Sequence, residues 1–157
     1  MFKCCKKKQK EEAPIQQPRI NESLLSFKRT NKHLVVDDSE TNRLVLRRYL
    51  ERTGINVTEA IHGQACLDSY NKEELNDFDV IWMDLRMPYK DGIETTTELR
   101  KKGYIHYIIG LTGHVEQESQ DKCIAAGMNR VIAKPIVKDE LYGLLYFLFK
   151  VNFEKKS

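Results

Sequence analysis

The chain has little of what marks a disulfide-stapled or membrane-spanning protein. It has four cysteines in 157 residues, and neither the adjacent pair Cys4 and Cys5 nor Cys66 and Cys123 has zinc-site spacing or forms a disulfide framework. Its only long apolar stretch, near the C-terminus, is broken by Gly143 and Lys150 and is too short to span a bilayer. No secretory signal is recognisable, so a soluble, cytoplasmic domain is expected. An excess of positive charge is also missing where it would matter. The net charge is +3, but residues 1–30 carry eight Lys or Arg against three Glu, which leaves about −2 for the remainder. A folded part without a basic face excludes a nucleic-acid reader.

Apolar content of 41% supports one core at a single-domain length. Residues 1–30, with Pro14, Pro18 and no lasting periodicity, are expected to be a disordered basic tail. The fold is expected over 31–153, with 154–157 a short C-terminal tail. Strands are expected near His33–Val36, Asn56–Ala60, Val80–Met83, Ile105–Leu111 and Val131–Ala133. Helices are expected over Ser39–Arg52, His62 to about Tyr70, Gly92–Lys102 and Glu116–Ala126, and from Lys138 onward. Leu44, Val45, Leu46, Tyr49 and Leu50 supply the apolar face of the first helix, and Gly127 is placed to end the fourth. Strict strand–helix alternation gives an α/β doubly wound parallel sheet. Cys66 and Cys123 fall on helices as small buried hydrophobes.

In that arrangement the groups that follow each apolar run converge at one edge of the sheet. Asp84 follows Val80–Met83, Asp37 and Asp38 follow Leu34–Val36, Thr112 follows Ile108–Leu111, and Lys134 follows Val131–Ala133. Three crowded carboxylates repel unless a cation joins them, and an all-oxygen cluster suits Mg²⁺. The pattern points to phosphoryl transfer or a phosphate switch.

These same residues carry a resemblance. Val-Val-Asp37-Asp38, Ile-Trp-Met-Asp84-Leu-Arg-Met-Pro88-Tyr-Lys-Asp-Gly92, Gly110-Leu-Thr112-Gly113, Ala126-Gly127-Met-Asn and Lys134-Pro135 occur in the order and spacing of response regulator receiver domains, over about residues 32 to 150. The segment Asp38-Ser-Glu-Thr-Asn42-Arg43-Leu-Val-Leu is most similar to receivers attached to hybrid histidine kinases. The resemblance implies a (βα)5 flavodoxin-like three-layer sandwich with strand order 2-1-3-4-5. It implies a phosphoacceptor role for Asp84, whose carboxylate would form an acyl phosphate. It also implies Mg²⁺ (with Mn²⁺ able to substitute) held by Asp38, Asp84 and the Arg86 backbone carbonyl, with Asp37 assisting through water. Lys134 would pair with Asp84 and then with the phosphoryl group, aimed by Pro135 after a cis peptide, and Thr112 would hydrogen-bond another phosphoryl oxygen. The donor would be a histidine kinase or a histidine phosphotransfer protein.

Several features depart from that pattern or add to it. Val131 stands where such domains usually carry Tyr or Phe, so the usual aromatic switch is missing. Arg86 and His114 occupy the two variable positions that resemble sites tuning phosphate lifetime; slow autodephosphorylation is expected if they lean over the phosphate, and no effect if they point to solvent. On the last helix Val137, Leu141, Leu144, Leu145, Leu148 and Val151 form the core-facing stripe, and Tyr142, Tyr146, Phe149 and Phe153 form a second. An exposed aromatic row marks an interface. A homodimer is the leading expectation; a neighbouring domain, residues 13–30 folded over this face, or extra core packing are the alternatives. Cys4 and Cys5 beside Lys6–Lys8 resemble a palmitoylation-plus-polybasic anchor for peripheral membrane contact. A solubilising tail is the plainer reading.

Three functions compete. One is a phosphorylation-dependent receiver that is not otherwise an enzyme, catalysing only its own Mg²⁺-dependent phosphorylation and dephosphorylation. Another is a receiver-like scaffold for dimerisation or binding that needs no phosphorylation, a role for which keeping three repelling acids makes no sense. The third is a dehalogenase-type phosphohydrolase, which would need an acid where Arg86 stands.

Overall fold

Four apolar residues in a row, Val80 to Met83, can be buried on both faces only in the middle of a sheet, and each is fully buried. The computed structural model describes residues 30–114 and 116–149. Its elements are β1 (Lys32–Val36), α1 (Glu40–Glu51), β2 (Asn56–Ala60), α2 (Gly63–Ser69), α3 (Lys72–Asn76), β3 (Val80–Asp84), α4 (Gly92–Lys101), β4 (Tyr107–Thr112), α5 (Gln117–Ala126), β5 (Arg130–Ala133) and α6 (Lys138–Phe149). All strands pair in parallel, in the order β2-β1-β3-β4-β5.

Alternation along the strands divides the core into two layers. Leu34 and Val36 of β1 and Ile81 and Met83 of β3 pack with Cys66, Leu75, Leu99 and Cys123 from α2, α3, α4 and α5. Val35, Val80, Trp82, Ile109 and Leu111 pack on the opposite face with Leu46 and Leu50 of α1 and Leu141, Leu144 and Leu145 of α6. The result is the expected three-layer sandwich. Gly127 takes the left-handed conformation (φ +111°) that ends α5. Ser39 caps α1 by accepting from the Asn42 amide.

The structure differs from the sequence expectations at four places. A short helix, α3, follows α2; its capping box between Asn71 and Glu74 is a readable signal, but five residues are too few to show a period. β4 begins at Tyr107 rather than Ile105, because the carbonyls of Tyr104 and His106 accept from the Arg100 guanidinium instead of a neighbouring strand. On α1, Val45 points outward (42% exposed) and Arg43 turns inward.

The second stripe of α6 is not one exposed row. Phe149 packs its ring against His33 and Tyr107, and Tyr142 lies half-buried on the core with its hydroxyl donating to the Tyr49 carbonyl. Both pack against the apolar layer, so the fold itself covers them in part. The exposed aromatics of α6 are Tyr146 and Phe147, and Val137, expected inside, is exposed. Phe153 and Val151 lie outside the described residues, as do Cys4 and Cys5. Among the described residues no helix is long and apolar enough to cross a membrane.

Candidate functional site

Every strand of a parallel sheet delivers its carboxyl end to the same edge, and the loops there collect whatever side chains follow. Asp37 directly follows β1 and is 1% exposed; Asp84 closes β3 and is 5% exposed; Asp38 beside them is solvent-exposed. One oxygen from each of these three carboxylates lies within 4.8 Å of the others. Lys134 follows β5, and its ammonium donates to Asp37 Oδ2 at 2.7 Å and to Asp84 Oδ1 at 2.9 Å. Its backbone amide donates to the Thr112 carbonyl, and its peptide with Pro135 is cis.

The surrounding hydrogen bonds fix this geometry. Asp37 Oδ1 accepts from the Ser39 amide at 2.8 Å, and both Asp37 oxygens accept from the Asn42 side-chain amide. Ser39 therefore caps α1, and Asp37 is left to the site. Thr112, also buried, donates to the His114 carbonyl at 2.8 Å and accepts from the His114 amide. It closes a tight turn after β4 and does not cap α5, whose N-cap residue is Glu116. The Arg86 amide reaches back to Asp84 Oδ1 at 3.4 Å. The side chains of Arg86 and His114 are exposed, and Val131 is half-buried against the core.

Charge does not balance at this edge. Burial raises the Asp84 pKa; the Lys134 hydrogen bond works against that shift and the neighbouring Asp37 charge adds to it. For Lys134, burial opposes the ammonium, but hydrogen bonds to Asp37 and Asp84 outweigh it and hold the pKa above its ordinary value. One lysine cannot neutralise three carboxylates, and each close like-charged pair costs on the order of a few kcal/mol in a partly screened site. The donor set is all oxygen, which fits a hard divalent cation such as Mg²⁺.

Sequence reasoning gathered all five central residues. It gave no role to Asn42 or Arg43, although both stand in the motif. It also passed over Tyr89, whose backbone is left-handed (φ +68°) and whose exposed ring lies 5.3 Å from that of His62.

A paired lysine within an acidic cluster at the carboxyl edge of a 2-1-3-4-5 sheet defines an α/β signalling domain built around an aspartate. The chain belongs to the response regulator receiver domain family, whose model matches residues 34–146. It is 35% identical over 140 residues to the sensor protein EvgS of Escherichia coli, a match covering 89% of this chain and 11% of that protein. It is 32% identical over 136 residues to two-component response regulator 24 of Arabidopsis thaliana, covering 87% of this chain and 90% of that one. The chain matches only 5–11% of the length of the sensor and hybrid kinases it resembles. Among solved structures it is similar to the receiver domain of a Pseudomonas aeruginosa sensor histidine kinase, determined with a magnesium ion in its active-site cleft. That similarity has a TM-score of 0.65 and 31% identity, covering 74% of this chain and 95% of the other. Phosphorylation-based signalling is the standard function of this family.

Proposed function

We propose that Asp84 is the phosphoacceptor of this receiver and that Asp37, Asp38, Thr112 and Lys134 serve it. The observation that carries the reading is the Lys134 ammonium, shared between Asp37 and Asp84 at hydrogen-bond distance. In the transfer, an Asp84 oxygen attacks the phosphorus of a phosphohistidine on a kinase or phosphotransfer partner. The new P–O bond forms as the P–N bond breaks, and the imidazole leaves with its electron pair. Mg²⁺ held by Asp38, Asp84 and the Arg86 carbonyl, with Asp37 through water, would supply charge neutralisation for three acids and the phosphoryl oxygens. Lys134 exchanges its bond to Asp84 for one to a phosphoryl oxygen, a move that suits a flexible point charge. Thr112 gives up the His114 carbonyl to donate to another phosphoryl oxygen.

Val131 has no ring to turn inward when Thr112 moves, so the readout falls to the loops and to protein contacts. The exposed pair Tyr146 and Phe147 on α6 is the face on which a homodimer would form. The test is intact mass after incubation with Mg²⁺ and a small-molecule phosphodonor, with light scattering on the same samples. The wild type gains one phosphoryl group; Asp84→Asn and wild type in chelator gain none. A folded, Mg²⁺-supplied wild type that takes no phosphoryl group contradicts the proposal and leaves a binding scaffold as the remaining reading.

A further inference from the structure

Arg43 is a charge that the chemistry above leaves without a role. It stands on α1 between Asn42 and Leu44, yet the residue is only 9% exposed. Its Nη1 donates to the backbone carbonyl of Asp37 at 2.8 Å, and its Nε donates to Glu59 Oε2 of β2 at 3.0 Å. Arg47, one turn further along α1, donates to the other Glu59 oxygen at 2.8 Å. Burying a guanidinium is unfavourable unless its donors are satisfied, and a buried ion pair seldom stabilises a fold more than an apolar pair of the same size. Arg47 and Glu59 already join α1 to β2. What sets Arg43 apart is the carbonyl it reaches.

That carbonyl belongs to the peptide linking Asp37 to Asp38. The Asp37 amide is tied to the Ala60 carbonyl at the end of β2, so both backbone polar groups of Asp37 are anchored, one to β2 and one to α1 through Arg43. Glu59 holds the guanidinium in place. The plane of the Asp37–Asp38 peptide sets the direction in which both carboxylates leave the backbone. Groups of this kind, bonded to a ligand residue rather than to the metal, govern how well a site is presented.

We infer that Arg43, held by Glu59, is a positioning residue for the acidic cluster, aiming Asp37 and Asp38 at the divalent cation. The inference rests on the reading of that cluster as the Mg²⁺ site. Charge alone predicts the opposite effect: a cation near a cation site repels it, so removing Arg43 without disturbing geometry would tighten Mg²⁺ binding. Positioning predicts weaker binding. The sign of the change separates the two.

The experiment is a calorimetric Mg²⁺ titration of the wild-type chain, Arg43→Gln, Arg43→Lys and Arg47→Gln, each first shown to unfold cooperatively. Arg43→Gln and Arg43→Lys are expected to bind Mg²⁺ roughly tenfold more weakly, the scale typical for loss of a group that orients a metal ligand. Arg43→Lys keeps the charge but offers a single nitrogen in place of the separate Nη1 and Nε that serve the carbonyl and Glu59, and it carries the test should Arg43→Gln fail to fold. Arg47→Gln, which leaves the Asp37 carbonyl untouched, is expected to stay near wild type. Unchanged or tighter binding by a folded Arg43 variant overturns the inference while leaving the Mg²⁺ site intact. A wild type that binds no Mg²⁺ overturns the site reading, and this inference with it.

Discussion

Asp84 works against the stability of the domain that carries it. Its carboxyl is buried beside Asp37, and both features push its pKa above 3.8, with Lys134 offsetting only part of the shift. An acid whose folded pKa is raised contributes stability below its unfolded value and loses it as pH rises through the folded value. In chelator, the wild type is therefore expected to lose ground to Asp84→Asn as pH rises from about 4 towards neutrality, with Asp84→Asn having the higher unfolding midpoint at neutral pH. Mg²⁺ is expected to raise the wild-type midpoint and to have much less effect on the variant. Thermal melts at several pH values check this; a wild type more stable than Asp84→Asn at neutral pH without cation would contradict it. Cys66, by contrast, is a core residue: burial pushes its thiol up to about 12, far from any reactive thiolate at neutral pH.

At the scale of elements, the site depends on how closely α4 approaches β3. Gly92 opens α4, and its amide donates to the Leu85 carbonyl. A Cβ at this position would sit 2.2 Å from the Asp84 carbonyl oxygen and 2.9 Å from Leu85 Cα. Backbone cannot move aside as a side chain does. Gly92→Ala is expected to destabilise the fold by about 1–3 kcal/mol and to slow phosphoryl uptake by shifting the end of β3. Denaturant unfolding and the rate of mass gain measure the two effects, and a variant matching wild type in both would refute the close approach. Elements were legible where a period could run: the five strands, α1, α4 and α5 were located from apolar spacing and glycine stops. Two of the misses, α3 and the start of β4, share a cause in side-chain-to-backbone bonding. α3 is held by a capping box too short to show a period, and the start of β4 is displaced by Arg100. All five of that guanidinium's donors are spent on Tyr104, His106, Gly127 and Asn129, a convergence of four loop groups that no periodicity announces. Arg43 entered the core for a similar reason, its partners being a carbonyl and a glutamate from other segments.

For the whole molecule, topology explains why so much of the site was readable. In a parallel sheet of this order, any residue just past a buried strand lands at the carboxyl edge, so four apolar runs sufficed to bring Asp37, Asp84, Thr112 and Lys134 together. The detail that topology does not supply is the sharing of Lys134 between two acids, because that depends on side-chain reach. The opposite edge of the sheet holds the entry of the chain: Asp79 accepts from the Thr30 and Asn31 amides. Thr30, the first described residue, thus lies at the end of the sheet away from Asp84. The measurement that bears most directly on the account is location of the phosphoryl group. Protein incubated with Mg²⁺ and phosphodonor is reduced with borohydride, which converts an aspartyl phosphate to homoserine, and is then digested and mapped by mass spectrometry. Homoserine at position 84, absent without donor, is the predicted result. A phosphorylated chain with intact Asp84, carrying its phosphoryl group on any other residue, would contradict it.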